Sequence, residues 1–194
     1  MSTAVPRTMI FLDPDLEPDR SKPTKLRSAA LSRRATPRNQ RIPSARILGR
    51  FLRDAQSAVK LRGQVTVLLT TDKAIRRLNR QFRGKDKATD VLSFPSYTPV
   101  PQSEGSVAPA PRMREIAGDI AISVHTAGKQ ADALGHALTV EIKVLMLHGL
   151  LHLAGLDHET DDGEMARVEE RLRAKLRLPQ GLIERASAQG EGRR

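Results

Sequence analysis

The sequence contains no cysteine and no tryptophan, and only 3% of its 194 residues are aromatic. Without cysteine there are no disulfides and no thiolate metal sites, which leaves histidine as the nitrogen or sulfur ligand. The core must therefore be aliphatic. No apolar run approaches the ~18 residues needed to span a bilayer, and the N-terminus lacks the apolar stretch of a signal peptide. We therefore expect a cytoplasmic protein with no membrane segment.

The sequence also contains fewer acidic than basic residues. The chain has 22 acidic residues against 33 basic residues, which gives a formal net charge of +11. Such a charge attracts polyanions, nucleic acid first, although an anionic membrane surface would also fit. We divide the chain into three parts: residues 1–43, with a strand candidate at 8–12 and a flexible basic connector; one domain over 44–184; and a polar tail over 185–194.

Hydrophobic periodicity predicts strands alternating with helices inside that domain. We expect strands over 64–69, 90–94 and 118–124, and helices after Ser44, over 72–82, over 126–134, from 139 through the histidines, and over 164–178. Ser44 and Asp72 are the expected helix caps. The Pro-, Ser- and Gly-rich segment 96–114 is expected to be a loop. This alternation predicts a single α+β (or α/β) domain in which several helices pack on a small mixed sheet.

Three of the five histidines fall within the stretch LHGLLHLAGLDHE, which begins at Leu147. His148 and His152 are four residues apart, so on a helix they lie on one face. Gly155 can adopt the left-handed conformation that ends a helix, and the chain can then bring His158 back to the same point. Three converging imidazoles form the ligand set of an open zinc site. We therefore predict one zinc ion per chain, bound on a core helix and the turn after it.

The ligand spacing H-x-x-x-H-x-x-G-x-x-H matches that of the metzincin proteases. Those enzymes place a glutamate base directly after the first histidine, and here that position is Gly149. Glycine cannot accept a proton, so peptide hydrolysis by that route is disfavoured. Zinc-bound water, or a polarised phosphoryl oxygen, would still suit phosphodiester cleavage.

Several acidic residues near the histidines are open to two interpretations. Asp157 could orient an imidazole N–H or cap the following turn. Glu141 could be a distant base, although a surface charge is the simpler interpretation. We expect Glu159, Asp161 and Asp162 to form a solvated entry to the last helix.

Three blocks of the sequence resemble one known family. HGLLHLAGLDH is similar to the histidine motif of the YbeY family of endoribonucleases, LNRQFRGKDKATDVLSFP resembles its second block, and GDIAIS its third. The resemblance covers roughly residues 64–178. Ala88 stands where family members often carry proline, and the 96–114 loop is an insertion or a variable segment.

The resemblance implies a single-strand-specific, zinc-dependent endoribonuclease. Such an enzyme would act in 16S rRNA 3′-end maturation, rRNA processing and ribosome quality control. The resemblance also implies that His148, His152 and His158 bind the metal, with His148 and Arg83 in the catalytic set. Arg83 would clamp a phosphate, unless it is one surface arginine among many, and Lys85 and Lys87 would help to bind RNA. The expected partners are single-stranded RNA and the small ribosomal subunit.

The alternative is a non-catalytic, RNA-binding ribosome assembly factor with a structural zinc. The lack of a recognisable general base and the basic surface fit that function too. A metalloprotease is a third possibility that Gly149 disfavours.

Overall fold

Four strands form one mixed sheet in a computed structural model that describes residues 8–16, 41–96, 116–158 and 160–179. The strands are β1 (Met9–Leu12), β2 (Gln64–Thr70), β3 (Val91–Pro95) and β4 (Ile116–Ser123). Their order is β1-β2-β4-β3, and only β3, paired with β4, is antiparallel to its neighbour. The predicted strand at 8–12 therefore forms one edge of the sheet. Residues 17–40, which hold most of the predicted connector, the 97–114 part of the predicted loop and the tail lie outside the described residues.

Within the described residues, five α-helices complete the α+β domain, as predicted. They are α1 (Ala45–Val59), α2 (Asp72–Arg83), α3 (Val124–Leu134), α4 (Leu138–Leu153) and α5 (Glu164–Leu176). Ser44 caps α1 as predicted, since its side chain accepts a hydrogen bond from the Ile47 amide. The predicted cap of α2 was wrong by one residue: Thr71 caps the helix, and Asp72 begins it.

The two faces of the sheet carry different helices because side chains alternate along each strand. On β4, Ile120 and Ile122 join the main core formed with α1 and α4. Ala121 points to the other face, where it packs with Leu92 of β3 and Ile75 of α2. The β3–β4 pair therefore has α4 on one side and α2 on the other.

Helix α4 lies at the centre of the domain and is buried along 12 of its 16 residues. One side packs on the sheet, and Leu147 and Leu151 on another side pack against Met165 and Leu172 of α5. Burial on several sides explains why α4 lacks a polar face. The helix that carries His148 is thus fixed by the whole core.

Glu141 of α4 pairs with His136, which lies in the turn between α3 and α4. The Glu141 carboxylate is fully buried, and its Oε2 lies 2.5 Å from Nε2 of His136. Our prediction of a surface charge at Glu141 was wrong, because packing encloses this end of α4 and the histidine compensates the burial. Within the described ranges, no single helix is long and apolar enough to cross a membrane; α3 and α4 pass such a test only as a pair bent by 113°.

Asp72 joins the start of α2 to the start of α3. It accepts hydrogen bonds from the hydroxyls of Ser123 and Thr126, and its Oδ2 lies 2.7 Å from Nδ1 of His125. Burial raises the pKa of Asp72, but the hydrogen bonds together outweigh burial and hold the pKa at about 2. The carboxylate therefore stabilises the fold in its ionised form.

We expect Asp72→Asn to lower the free energy of unfolding at neutral pH by about 1 kcal/mol, a value discounted for solvent screening. The folded pKa of about 2 is below the ordinary 3.8, so this stabilisation is present above pH 4 and is lost as the pH falls toward 2. Urea unfolding at several pH values should show the gap between the wild type and the variant closing with acid. Asp54→Asn, on the exposed side of α1, should show no such gap.

Candidate metal centre

The three predicted histidines converge at the end of α4. Nε2 of His148 lies 3.1 Å from Nε2 of His152, and the ring centroid of His158 is 5.3 Å from that of each of the others. One potential ligand nitrogen from each ring lies within 4.8 Å of the other two. The three histidines could hold one metal ion, as the spacing predicted.

The local backbone explains this convergence. His148 and His152 occupy successive turns of α4, which ends at Leu153. Gly155 takes a φ of +91°, the positive value expected there, and the Leu156 amide donates to the Leu151 carbonyl. This turn reverses the chain and brings His158 back beside the helix.

The geometry and the protonation of the rings suit a metal ion. Ligands at about 2.0–2.1 Å from a tetrahedral zinc would be about 3.3 Å apart, close to the 3.1 Å between the two Nε2 atoms. Nδ1 of His158 is buried and, within the described residues, has no hydrogen-bond partner. Burial, and to a lesser extent the nearby His148 and His158, lowers the pKa of His152 to about 4. His152 is therefore neutral at pH 7, the form that binds metals.

His148 contacts a buried carboxylate, that of Glu169, which was not predicted from the sequence. Glu169 of α5 is 2% exposed, and its Oε2 lies 3.2 Å from Nδ1 of His148. This contact favours the tautomer with the proton on Nδ1, in which the Nε2 lone pair faces the other histidines. One signal could have revealed it: Glu169 interrupts the apolar stripe formed by Met165 and Leu172.

Replacing Glu169 with glutamine should weaken metal binding by about 10- to 100-fold, because His148 would lose a charged partner that fixes its orientation. The measurement is competition with a chelating dye, which reports affinity without any cleavage assay. Glu170→Gln is the matched control, since Glu170 is the exposed neighbour on the same helix. Equal affinities for the two variants would show that Glu169 does not orient the metal site.

Asp157 takes part in the turn, one of its two predicted functions. Its carboxylate and its carbonyl oxygen both accept from the Thr160 hydroxyl, at 3.3 and 3.4 Å. Its charge also acts on His152, because it opposes the lowering of that pKa. Asp161 caps the start of α5 by accepting from the amides of Gly163 and Met165, as expected for a helix entry. Glu159 lies outside the described residues.

Gly149 faces the sheet rather than the histidines. A Cβ atom there would come within 2.9 Å of Ile120 Cδ1 and 3.1 Å of Ser93 Oγ. The helix could approach β3 and β4 this closely only with glycine at that position. The glycine at this position therefore has a packing cause, and a glutamate there would require the side chains of Ile120 and Ser93 to move.

The predicted RNA-binding residues lie on another element. Arg83 is the last residue of α2, and Lys85 and Lys87 follow in the loop that leads to β3; all three are exposed. The loop is held by Asn79, whose side chain donates to the Lys87 carbonyl at 2.7 Å. Arg76 binds Asp86 through two 2.8 Å hydrogen bonds. These contacts fix the backbone of the loop that carries the lysines.

The fold and the site define a small α+β domain that could hold one metal ion on three histidines. The sequence profile of the family described as Endoribonuclease YbeY matches residues 37–177. The chain belongs to the YbeY family of endoribonucleases.

Two curated relatives support this assignment. A protein of Koribacter versatilis named Endoribonuclease YbeY is 50% identical over 74% of this chain and 85% of its own length. A protein of the same name from Solibacter usitatus is 49% identical, with coverage of 72% and 84%. A Thermotoga maritima protein of known solution structure is 27% identical, with coverage of 70% and 85% and a TM-score of 0.46.

Proposed function

We propose that this protein is a zinc-dependent endoribonuclease that cleaves single-stranded RNA in the cytoplasm. It would act in 16S rRNA 3′-end maturation, rRNA processing and ribosome quality control. The observation that carries the proposal is the cluster of three histidines with a buried carboxylate behind His148, in a chain of the YbeY family. The net charge of +11 suits an RNA substrate and the small ribosomal subunit as partners. The functional domain would span 44–184, with β1 completing its sheet.

Each of these residues would have a distinct function in RNA cleavage. His148, His152 and His158 would hold the metal, which when bound would lower the pKa of a water molecule and polarise a phosphoryl oxygen. Glu169 would keep the proton on Nδ1 of His148, so that Nε2 stays available. Arg83 would pair with the phosphate under attack, and Lys85 and Lys87 would bind neighbouring phosphates.

The test is a metal analysis of the purified full-length chain, coupled to cleavage assays. We expect one zinc per chain, cleavage of single-stranded but not double-stranded RNA, loss of cleavage with a chelator and recovery with zinc. Protein that binds rRNA but cuts nothing under any metal would overturn the proposal and favour a non-catalytic assembly factor. Zinc-dependent digestion of casein would point to a protease instead.

Arg83→Ala should reduce RNA cleavage by about 100-fold while metal content stays unchanged, because charge developing on the phosphate loses its cationic partner. Single-turnover cleavage rates and metal analysis on the same samples measure both effects. Arg46→Ala makes the same charge change in the first turn of α1 and should leave the rate near that of the wild type. Equal losses in the two variants would indicate a general charge effect instead.

A further inference from the structure

Phe82 is an aromatic ring exposed at the end of a helix. It lies one turn after Leu78 and two turns after Ile75 on the sheet-facing stripe of α2, yet it is 58% exposed. One side of the ring is supported by Phe94 of β3, with ring centroids 5.0 Å apart in an edge-to-face arrangement. The ring is thus held in place while more than half of the side chain faces solvent.

The surroundings of Phe82 are cationic. Residues 80–87 contain four basic side chains and one acid, and that acid, Asp86, is paired with Arg76. The other highly exposed phenylalanine of the described chain, Phe11, is 50% exposed on β1 and is followed by Asp13 and Asp15. Exposed aromatic surface therefore coincides with positive charge at Phe82 and with negative charge at Phe11.

The backbone of Phe94, whose ring supports Phe82, lies near Leu153 at the end of α4. Phe94 supports the ring, and its carbonyl oxygen lies 2.4 Å from the position of a Cβ atom built on Gly118. Leu153 approaches that position to 2.7 Å, and Leu153 follows His152 directly. The ring therefore packs on the α2 face of the sheet, and the Phe94 backbone beside it lies near the end of α4, which packs on the opposite face.

We propose that Phe82 is a stacking platform for an unpaired base of the RNA, placed beside the phosphate-binding residues Arg83, Lys85 and Lys87. This inference rests on the proposed function and adds how the site would select single strands. A base in a duplex is already stacked on both sides, whereas an unpaired base can lie on the ring while its phosphate reaches the adjacent cations. Stacking on an aromatic ring tolerates any base, so Phe82 would favour single strands without imposing a sequence.

The test compares two ligands of equal charge and length: a hexaadenylate and an abasic ribose-phosphate hexamer. Binding to the metal-loaded full-length chain is measured by fluorescence anisotropy, with a denaturing gel to confirm that each ligand stays intact. We expect the wild type to prefer the hexaadenylate, and Phe82→Ala and Phe82→Leu to lose about ten-fold in affinity for it. Affinity for the abasic ligand and the salt dependence of binding should stay unchanged, because no phosphate contact is removed.

Two further variants serve as controls. Phe82→Trp should keep or increase the preference for bases. Phe11→Ala removes an exposed aromatic ring elsewhere on the surface and should bind both ligands as the wild type does. Phe82→Leu retains apolar bulk against Phe94, so a loss of base preference in this variant with an unchanged melting temperature separates stacking from folding.

Full affinity of Phe82→Leu for the hexaadenylate would overturn the inference and leave the proposed nuclease intact. So would equal losses on both ligands, which would indicate a general disturbance of the surface. A wild type that binds neither ligand would instead contradict the proposed function itself.

Discussion

Replacing His152 with alanine should remove the bound metal and reduce cleavage of single-stranded RNA by at least about 100-fold. Three nitrogens converge in this site, and two remaining imidazoles would leave the ion bound too weakly to survive purification. His152 is the better choice for substitution than His148, because it is half-buried whereas His148 is 5% exposed and bonded to Glu169. Metal content per chain and single-turnover cleavage are the measurements.

The control is His125→Ala, which removes a histidine from outside the cluster. His125 is largely exposed and contacts Asp72 rather than the metal centre. It should retain one metal per chain and the cleavage rate of the wild type. Full RNase activity and full metal content in His152→Ala would mean that the three histidines are not the functional site.

The largest effect on stability is expected at Gly118, where alanine should lower the free energy of unfolding by at least about 3 kcal/mol. Gly118 has a φ of +147°, which a side chain rarely adopts, and its Cβ would stand 2.4 Å from the Phe94 carbonyl oxygen. The obstacle is backbone, so it cannot yield as a flexible side chain would. Urea unfolding followed by circular dichroism measures the loss, and insoluble expression would be its extreme form.

Gly128→Ala is the matched control for this substitution. Gly128 lies within α3, and a Cβ atom there would meet no atom within 4 Å. Alanine should stabilise that helix by up to about 1 kcal/mol, because glycine loses more conformational freedom on folding. If both alanine variants were as stable as the wild type, the close approach of β3 to Gly118 would be disproved.

The sequence allowed most of the fold to be predicted, because its helices and strands have clear periodicity. Helix α1 was predictable from Ser44 and the apolar spacing after it, and the predicted strand at 8–12 forms an edge of the sheet. Strand order was not predictable, since β4 pairs with β2 across more than 40 residues of intervening chain. The burial of Glu141 was not predictable either, because it depends on packing between helices that are distant in sequence.

The candidate site, too, could be predicted only in part from the sequence. The convergence of His148, His152 and His158 could be predicted, since all three lie within eleven residues and one glycine turn. The support from Glu169 could not, because it reaches His148 from another helix, 21 residues further along the chain. The packing reason for Gly149 also depends on the sheet, and only the loss of a protease base was visible in the sequence.

The burial of α4 makes metal binding and folding one linked equilibrium. The helix that would hold the metal is the one around which the sheet, α1 and α5 pack, and Glu169 connects the site to α5. A ligand that binds only the folded state stabilises that state by an amount that grows with its concentration. The supply of metal would then change the free energy of unfolding of the enzyme, as well as whether it can cut RNA.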